Sequence, residues 1–420
     1  MESLPHRNPP RSDRLFLSTQ PKTEENQMIP SRAITSGPKH HWFGYYDKLQ
    51  FDPSARYALG MQVDFEHRPP APDDCIRIGM VDLADGDRWI TLGESRAWGW
   101  QAGCMLQWMP QSSNKIIWND RTDGQFVSHI LDVDTTQTRT LPHPVFTLSP
   151  DGHTALSIDF HRLEDMRPGY GYMGIPDPWY DVNAPADTGI HTVDLRTGET
   201  NLIVSLAEVA GTPYPHGEIL SAKHYFNVLI FNPGGTHFLF LHRWRFGDGP
   251  FHTRMLTAKA DGSDLTVVDH SGHTSHLIWR DDSHILAWSH RPSHGGAYYI
   301  FPNADDGSRG PDQIVGKTRM PLNGHCTYLS DNYWILNDTY PQGEERLQDL
   351  YLYHVPTDRR IDLGRFHSPP PYTDTLRCDL HPRSSPDGTK IIIDSAHGGN
   401  GRQMYLFEVG NLVGVQSCGH

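Results

Sequence analysis

The chain has 420 residues, 37% of them hydrophobic, with 11 Trp, 17 Tyr, 16 Phe, 38 Gly and 33 Pro. Such a mixture describes a loop-rich globular protein with an aromatic core and excludes a disordered chain. The formal net charge of −14 argues against nucleic acid as the main partner, because phosphate binding needs surplus Lys and Arg.

The N-terminal stretch MESLPHRNPPRSDRLFLSTQ has no apolar leader segment, and residues 1–28 read as a loose arm. No run approaches the ~18 apolar residues of a membrane span, so no membrane partner is expected. The cysteines (75, 104, 326, 378, 418) are scattered and odd in number, which suggests no disulfide framework and a cytoplasmic location.

From residue 49 one pattern recurs: an aromatic or apolar run, a turn of the SPDG type, then an alternating or β-branched strand. It begins with LQFDPSARYALGMQV (49–63), LQWMPQSSNKIIWND (106–120) and FTLSPDGHTALSIDF (146–160). It continues with LIFNPGGTHFLFLHR (229–243), LIWRDDSHILAWSH (277–290), TYLSDNYWILND (327–338) and RSSPDGTKIIIDS (383–395). Counted from the proline position of each turn (53, 110, 150, 233, 281, 330, 386), the gaps are 57, 40, 83, 48, 49 and 56 residues. Units of this length predict an all-β fold, a single seven-bladed β-propeller of four-stranded antiparallel blades over residues 29–420. The 83-residue gap holds an insertion at about 162–189, too rich in Gly, Pro and Tyr for regular structure. A short helical turn is expected in IVSLAEVA (203–210), and SRAITS (31–36) is expected to close the last blade. The rival arrangement is two packed β-domains divided near 190–215.

In a propeller the first strand of each blade lines a central channel, so equivalent positions form a ring. Five residues before each proline position stand Lys48, Met105, Val145, Val228, His276, His325 and His381. Three successive blades thus bring imidazoles to one level, a pattern suited to a divalent metal ion, which three ligands leave with open positions. Strand alternation puts Asp379 on the face of His381, as a fourth ligand or orienting partner, and turns Cys326 away, to ligate only if a bulge shifts the register.

A second series follows the second strands: His67-Arg68, Asp120-Arg121, His161-Arg162, His242-Arg243 and His290-Arg291. A ring of Arg and His on an acidic protein would form an anion-binding mouth, unless each Arg braces its neighbouring blade through a carboxylate. The stretch HRWRFGDGPFHTR adds Trp244, Arg245, His252 and Arg254, an indole face and guanidinium forks suited to a sugar acid.

The seven blades with SPDG-type turns, HRW closing a middle blade, DLHPR–SPDG in the last blade and the late-blade histidines resemble oligogalacturonate lyase. They also resemble the wider ulvan and rhamnose–glucuronate lyases. The resemblance implies a uronate lyase acting by metal- and Arg-assisted β-elimination on an acidic oligosaccharide. It implies a divalent ion (Mn, Zn or Ca) on His276, His325 and His381. The family's glutamine ligand has no counterpart before His381, where Arg377, Cys378 and Asp379 stand. His242 is the expected base, with Arg243 or Arg245 on the carboxylate, followed by His161, His41 and His224. Tyr45, Tyr46, Tyr170 and Tyr172 are the candidate acids, and Trp244, Arg162, Arg291 and Tyr46 are expected to contact the sugar. The competing readings are a non-catalytic TolB-like propeller binding a protein or glycan and a sugar-acid hydrolase or epimerase.

Overall fold

The computed structural model describes residues 29–303 and 312–414; the expected arm over 1–28 lies outside them. Seven four-stranded antiparallel sheets follow one another as the blades of a β-propeller. Blade 1 runs from His40–Trp42 to Arg88–Ser95, blade 2 from Gln107–Trp108 to Thr138–Leu141, and blade 3 from Thr147–Leu148 to Thr200–Ser205. Blade 4 runs from Lys223–Phe231 to Thr266–Gly272, blade 5 from Ser275–Asp281 to Gln313–Val315, and blade 6 from Thr327–Tyr328 to Arg359–His367. Blade 7 takes Arg383–Ser384, Lys390–Ser395 and Gln403–Glu408 from the late chain and its outermost strand, Ser31–Ala33, from the early chain. Ser31 pairs with Phe407 and Ala33 with Tyr405, so the SRAITS segment does close the ring.

The recurring turns have a common chemistry. In SPDG at 149–152 and 385–388 the glycine N–H donates to the serine carbonyl at 2.9 Å, while the aspartate accepts the N–H two residues on at 3.0 Å. The glycines sit at φ 73° and 70°, the left-handed region that other residues enter only at a cost. Between blades the sheets bury aromatic and aliphatic side chains, among them Phe146, Phe240, Tyr298, Trp42 and Ile392. Each contributes ~1.5–3 kcal/mol relative to exposure.

Two local departures from expectation shape the site. The inner strands of blades 6 and 7 are only two residues long, so His325 and His381 precede regular strand. Met105, Val228 and His381, equivalent positions in blades 2, 4 and 7, have positive φ (56°, 57° and 41°), which breaks simple alternation there. The insertion also opens with regular structure: a helix over Phe160–Met166, capped by Asp159, which accepts the N–H groups of His161 and Arg162. RLEDM is adequate helix material, and the Gly-Pro-Tyr-rich part begins only after it. The second strand of blade 3 ends at Ser157, so His161 and Arg162 lie on this helix rather than on a strand end. The expected helical turn is Leu206–Gly211, capped by Ser205; Ile203 and Val204 belong instead to the outer strand of blade 3. Among the described residues no helix is long and apolar enough to cross a membrane.

Candidate functional site

The three register histidines meet. The His276 and His325 rings are 4.2 Å apart by centroid, as are those of His325 and His381. All three rings contact Tyr46, whose hydroxyl donates to the Leu277 carbonyl at 3.0 Å and accepts the Leu277 N–H at 3.1 Å. Burial, aided by the His325 imidazole, holds His276 and His381 well below the ordinary histidine range, hence neutral.

Asp338, at the end of the second strand of blade 6 and fully buried, organises this cluster. It accepts the backbone N–H of His325 (2.6 Å) and of His381 (3.1 Å), and both of its oxygens lie 3.0 Å from His325 Nδ1. That fixes the ring and leaves His325 Nε2 without a hydrogen bond among the described residues. Ligand atoms of His325, Asp379 and His381 lie within 4.8 Å of one another. Two imidazoles, that of His325 backed by the Asp338 carboxylate, and a further carboxylate fit a divalent cation. His276 adjoins the set without joining it: its nitrogens are 2.8 Å from Asn323 Oδ1 and 3.1 Å from the Tyr340 hydroxyl. Cys326 is not among the donors, since its thiol packs with Leu286, Tyr298 and Tyr351 between blades, where burial pushes its pKa up.

Beside the histidines lies a group of arginines and tyrosines. Arg377 pairs with Asp379 at 3.0 Å and donates to Gln101 and to the Tyr170 hydroxyl at 3.2 and 3.1 Å. Arg167 also donates to that hydroxyl, at 3.0 Å, and pairs with no carboxylate among the described residues. Tyr170 is held in place by its flanks. A Cβ on Gly171 would come within 2.4 Å of the Phe160 carbonyl and the Glu164 nitrogen, so only glycine lets the chain lie against the helix. The Glu164 carboxylate accepts the Gly169 N–H at 2.9 Å. Tyr45 contacts the Tyr170 and His381 rings edge-on.

The other expected site residues sit elsewhere. His242 is fully buried inside blade 4, with Nε2 2.8 Å from His224 Nδ1 and Nδ1 accepting from Arg254 Nε at 3.0 Å. It therefore has no open nitrogen for a base, and His224 is tied on its other side to the Ile219 carbonyl. Arg254 ties down the carbonyls of Val209, Thr212 and Pro213. Trp244 packs against Ile219, Ala222 and Tyr214 instead of offering a sugar platform. His41 is buried between Gln403 and Gln62, and His161 bonds Asp159 and stacks near Phe126. Tyr172 accepts from Asn119 and stacks on Phe160. Arg162 binds Asp177 and four backbone carbonyls, Arg291 bridges Asp269 and Asp312, and Arg68 pairs with Asp74. The arginine series is thus mostly bracing. Among the described residues Arg121 donates to the Pro72 carbonyl and pairs with no carboxylate, and Arg243 is buried with no carboxylate partner, with Arg245 half-buried beside it. Sequence reasoning missed Asp338, Arg167 and Tyr340. Arg167, three residues before Tyr170 in MRPGYGY, was the one with a visible signal.

No protein-family model matches the sequence, and no curated protein matches it. Among solved structures, the fold is similar to an oligogalacturonate lyase in complex with manganese, at TM-score 0.63 and 14% identity, over 91% of this chain and 94% of that one. It is equally similar to an oligogalacturonate lyase from Vibrio parahaemolyticus, at TM-score 0.63 and 14% identity, over 92% and 95%. These likenesses establish a common architecture along almost the whole of each chain.

Proposed function

We propose that this protein is a lyase that cleaves a uronic-acid-containing oligosaccharide by β-elimination at the Arg167–Tyr170–Arg377 group. The observation that carries the proposal is Tyr170: one phenolic oxygen takes N–H bonds from two guanidiniums beside a cation-competent His–Asp set. The fold likeness to two oligogalacturonate lyases supports the same reading.

The C5 proton of a uronate is weakly acidic, and its removal pushes negative charge toward the carboxylate. Arg167, which pairs with no carboxylate among the described residues, holds that group. A divalent ion (Mn, Zn or Ca) on His325, Asp379 and His381, with His276 alongside, would polarise the substrate carboxylate as a Lewis acid. Tyr170 enters this step as the phenolate, its negative oxygen held by the two charged donors, and takes the C5 proton to become the neutral phenol. The C5–H electron pair becomes the C4=C5 double bond, the C4–O bond breaks, and the departing oxygen takes a proton. Tyr45 is placed to give it, since burial raises its phenol pKa and keeps it protonated. No water is consumed.

The test is incubation with galacturonate, glucuronate and iduronate oligosaccharides in the presence of Mn²⁺, following the ultraviolet absorbance of the unsaturated product. One responding substrate supports the assignment, and silence from all of them overturns it.

A further inference from the structure

The linker between blades 1 and 2 meets three segments of the proposed site at once. Its residues 99–103, GWQAG, close a tight loop in which the Gly99 and Gly103 N–H groups donate to each other's carbonyls at 3.1 and 2.9 Å. A Cβ on Gly99 would lie 2.5 Å from the carbonyl oxygen of Gly169, the neighbour of Tyr170. One on Gly44, the neighbour of Tyr45, would lie 3.0 Å from the Ala102 and Gly103 backbone. Glycine at both places lets the loop lie against the chain that carries each phenol. Gln101, at the tip of the loop and only 1% exposed, reaches the third segment. Its Nε2 donates to the Thr375 and Arg377 carbonyls at 3.2 and 3.0 Å, and its Oε1 accepts from Arg377 Nη2 at 3.2 Å. One amide thus grips Arg377 by its backbone and by its guanidinium. The same Nη2 donates to the Tyr170 hydroxyl at 3.1 Å. The two N–H bonds of that nitrogen lie in the guanidinium plane at a fixed angle, so the acceptor on one sets where the other points.

We infer that Gln101 is a positioning residue for the elimination: it turns Arg377 Nη2 onto the Tyr170 oxygen and so keeps the second of that oxygen's two charged donors in place. The inference rests on the lyase reading, in which Tyr170 is the base, and adds that a linker distant in sequence from both residues sets their geometry. Asp379 and the Asp374 carbonyl hold Nε and Nη1 of the same guanidinium at 3.0 and 2.9 Å. The glutamine keeps the Nη2 end from swinging towards them and away from the phenol. It acts through Arg377 and not on the sugar.

The experiment uses Gln101→Met, which keeps the length of the side chain and removes its three hydrogen bonds. A crystal structure of the variant should show the propeller unchanged and the Arg377–Tyr170 contact opened beyond hydrogen-bonding distance. In steady-state kinetics kcat should fall about 10- to 100-fold while KM changes less than about threefold, because Arg167 and not Arg377 holds the substrate carboxylate. A double-mutant cycle tests the route: in an Arg377→Met background, adding Gln101→Met should change kcat less than about twofold. Should Gln101→Met fail to fold, Gln101→Ala, which leaves room for a water to serve the two carbonyls, is read in the same way. An intact Arg377–Tyr170 hydrogen bond in the variant overturns the assignment. So does an undiminished kcat, or a loss of kcat that is as large with Arg377→Met present as without it. The lyase reading fails separately: if the unmodified protein forms no unsaturated product from any uronate, the variant's crystal structure alone decides whether Gln101 sets the contact.

Discussion

At the scale of single residues, the site depends on groups that hold other groups. Tyr170→Phe keeps the ring between Arg167 and Arg377 and removes only the oxygen. Product formation should fall by about 10²-fold or more while Tm changes little, as absorbance assays and thermal melts would report. Asp338→Asn replaces an acceptor of two backbone N–H groups and an imidazole by a half-donor. Affinity for Mn²⁺ should drop about 10- to 100-fold by calorimetric titration. His242→Ala should act on stability instead, leaving Arg254 Nε and His224 Nδ1 without their partner at a cost on the order of 2–4 kcal/mol. Folded His242→Ala protein that has lost turnover without losing Tm would return that residue to the chemistry. The contrast shows what sequence could resolve. His276, His325 and His381 were legible because repeated turns set a register common to all blades. His242 was misread because a blade strand has two faces that both look towards neighbouring sheets, and residue type alone does not tell a packed imidazole from an open one. Asp338 was hidden because its partners lie across a strand and in the next blade.

At the scale of elements, the segment between the second and third strands of blade 3 carries most of the difference between expectation and structure. Its compositional bias was plain, but a seven-residue helix rests on one cap and three buried apolar residues, Phe160, Leu163 and Met166, a weak pattern in any window. Glu164 on that helix is mostly buried, and burial raises its pKa to about 7 from 4.5. A carboxyl raised in the folded state binds more protons there than in the unfolded chain between those two values. Stability therefore declines as pH climbs from about 4.5 to about 7, by on the order of 2–3 kcal/mol. Glu164→Gln keeps an oxygen for the Gly169 N–H and should abolish that decline, raising Tm at pH 8 and leaving it alone at pH 4.5. Melts across this range check the sign directly.

For the whole molecule, the blade count, the closing strand and the scarcity of helix were readable, because a propeller repeats one simple unit and each turn marks its place. Closure itself is a few bonds: Ser31–Ala33 against Tyr405–Phe407, extended by the Ile34 N–H to the Met404 carbonyl at 2.9 Å. A chain starting at residue 34 should lose roughly 2–4 kcal/mol and expose the edge of Gln403–Glu408, so that size-exclusion chromatography detects self-association.

The polypeptide leaves the blade 3 sheet after Ser157 and rejoins it at Gly189, and Ser157 is registered against His191. Departure and return are thus adjacent, and everything between them, Tyr170 included, hangs from two neighbouring points on an otherwise regular scaffold. A lineage could exchange that single cassette and acquire a new proton-transfer group while the imidazoles contributed by the late blades stay where they are.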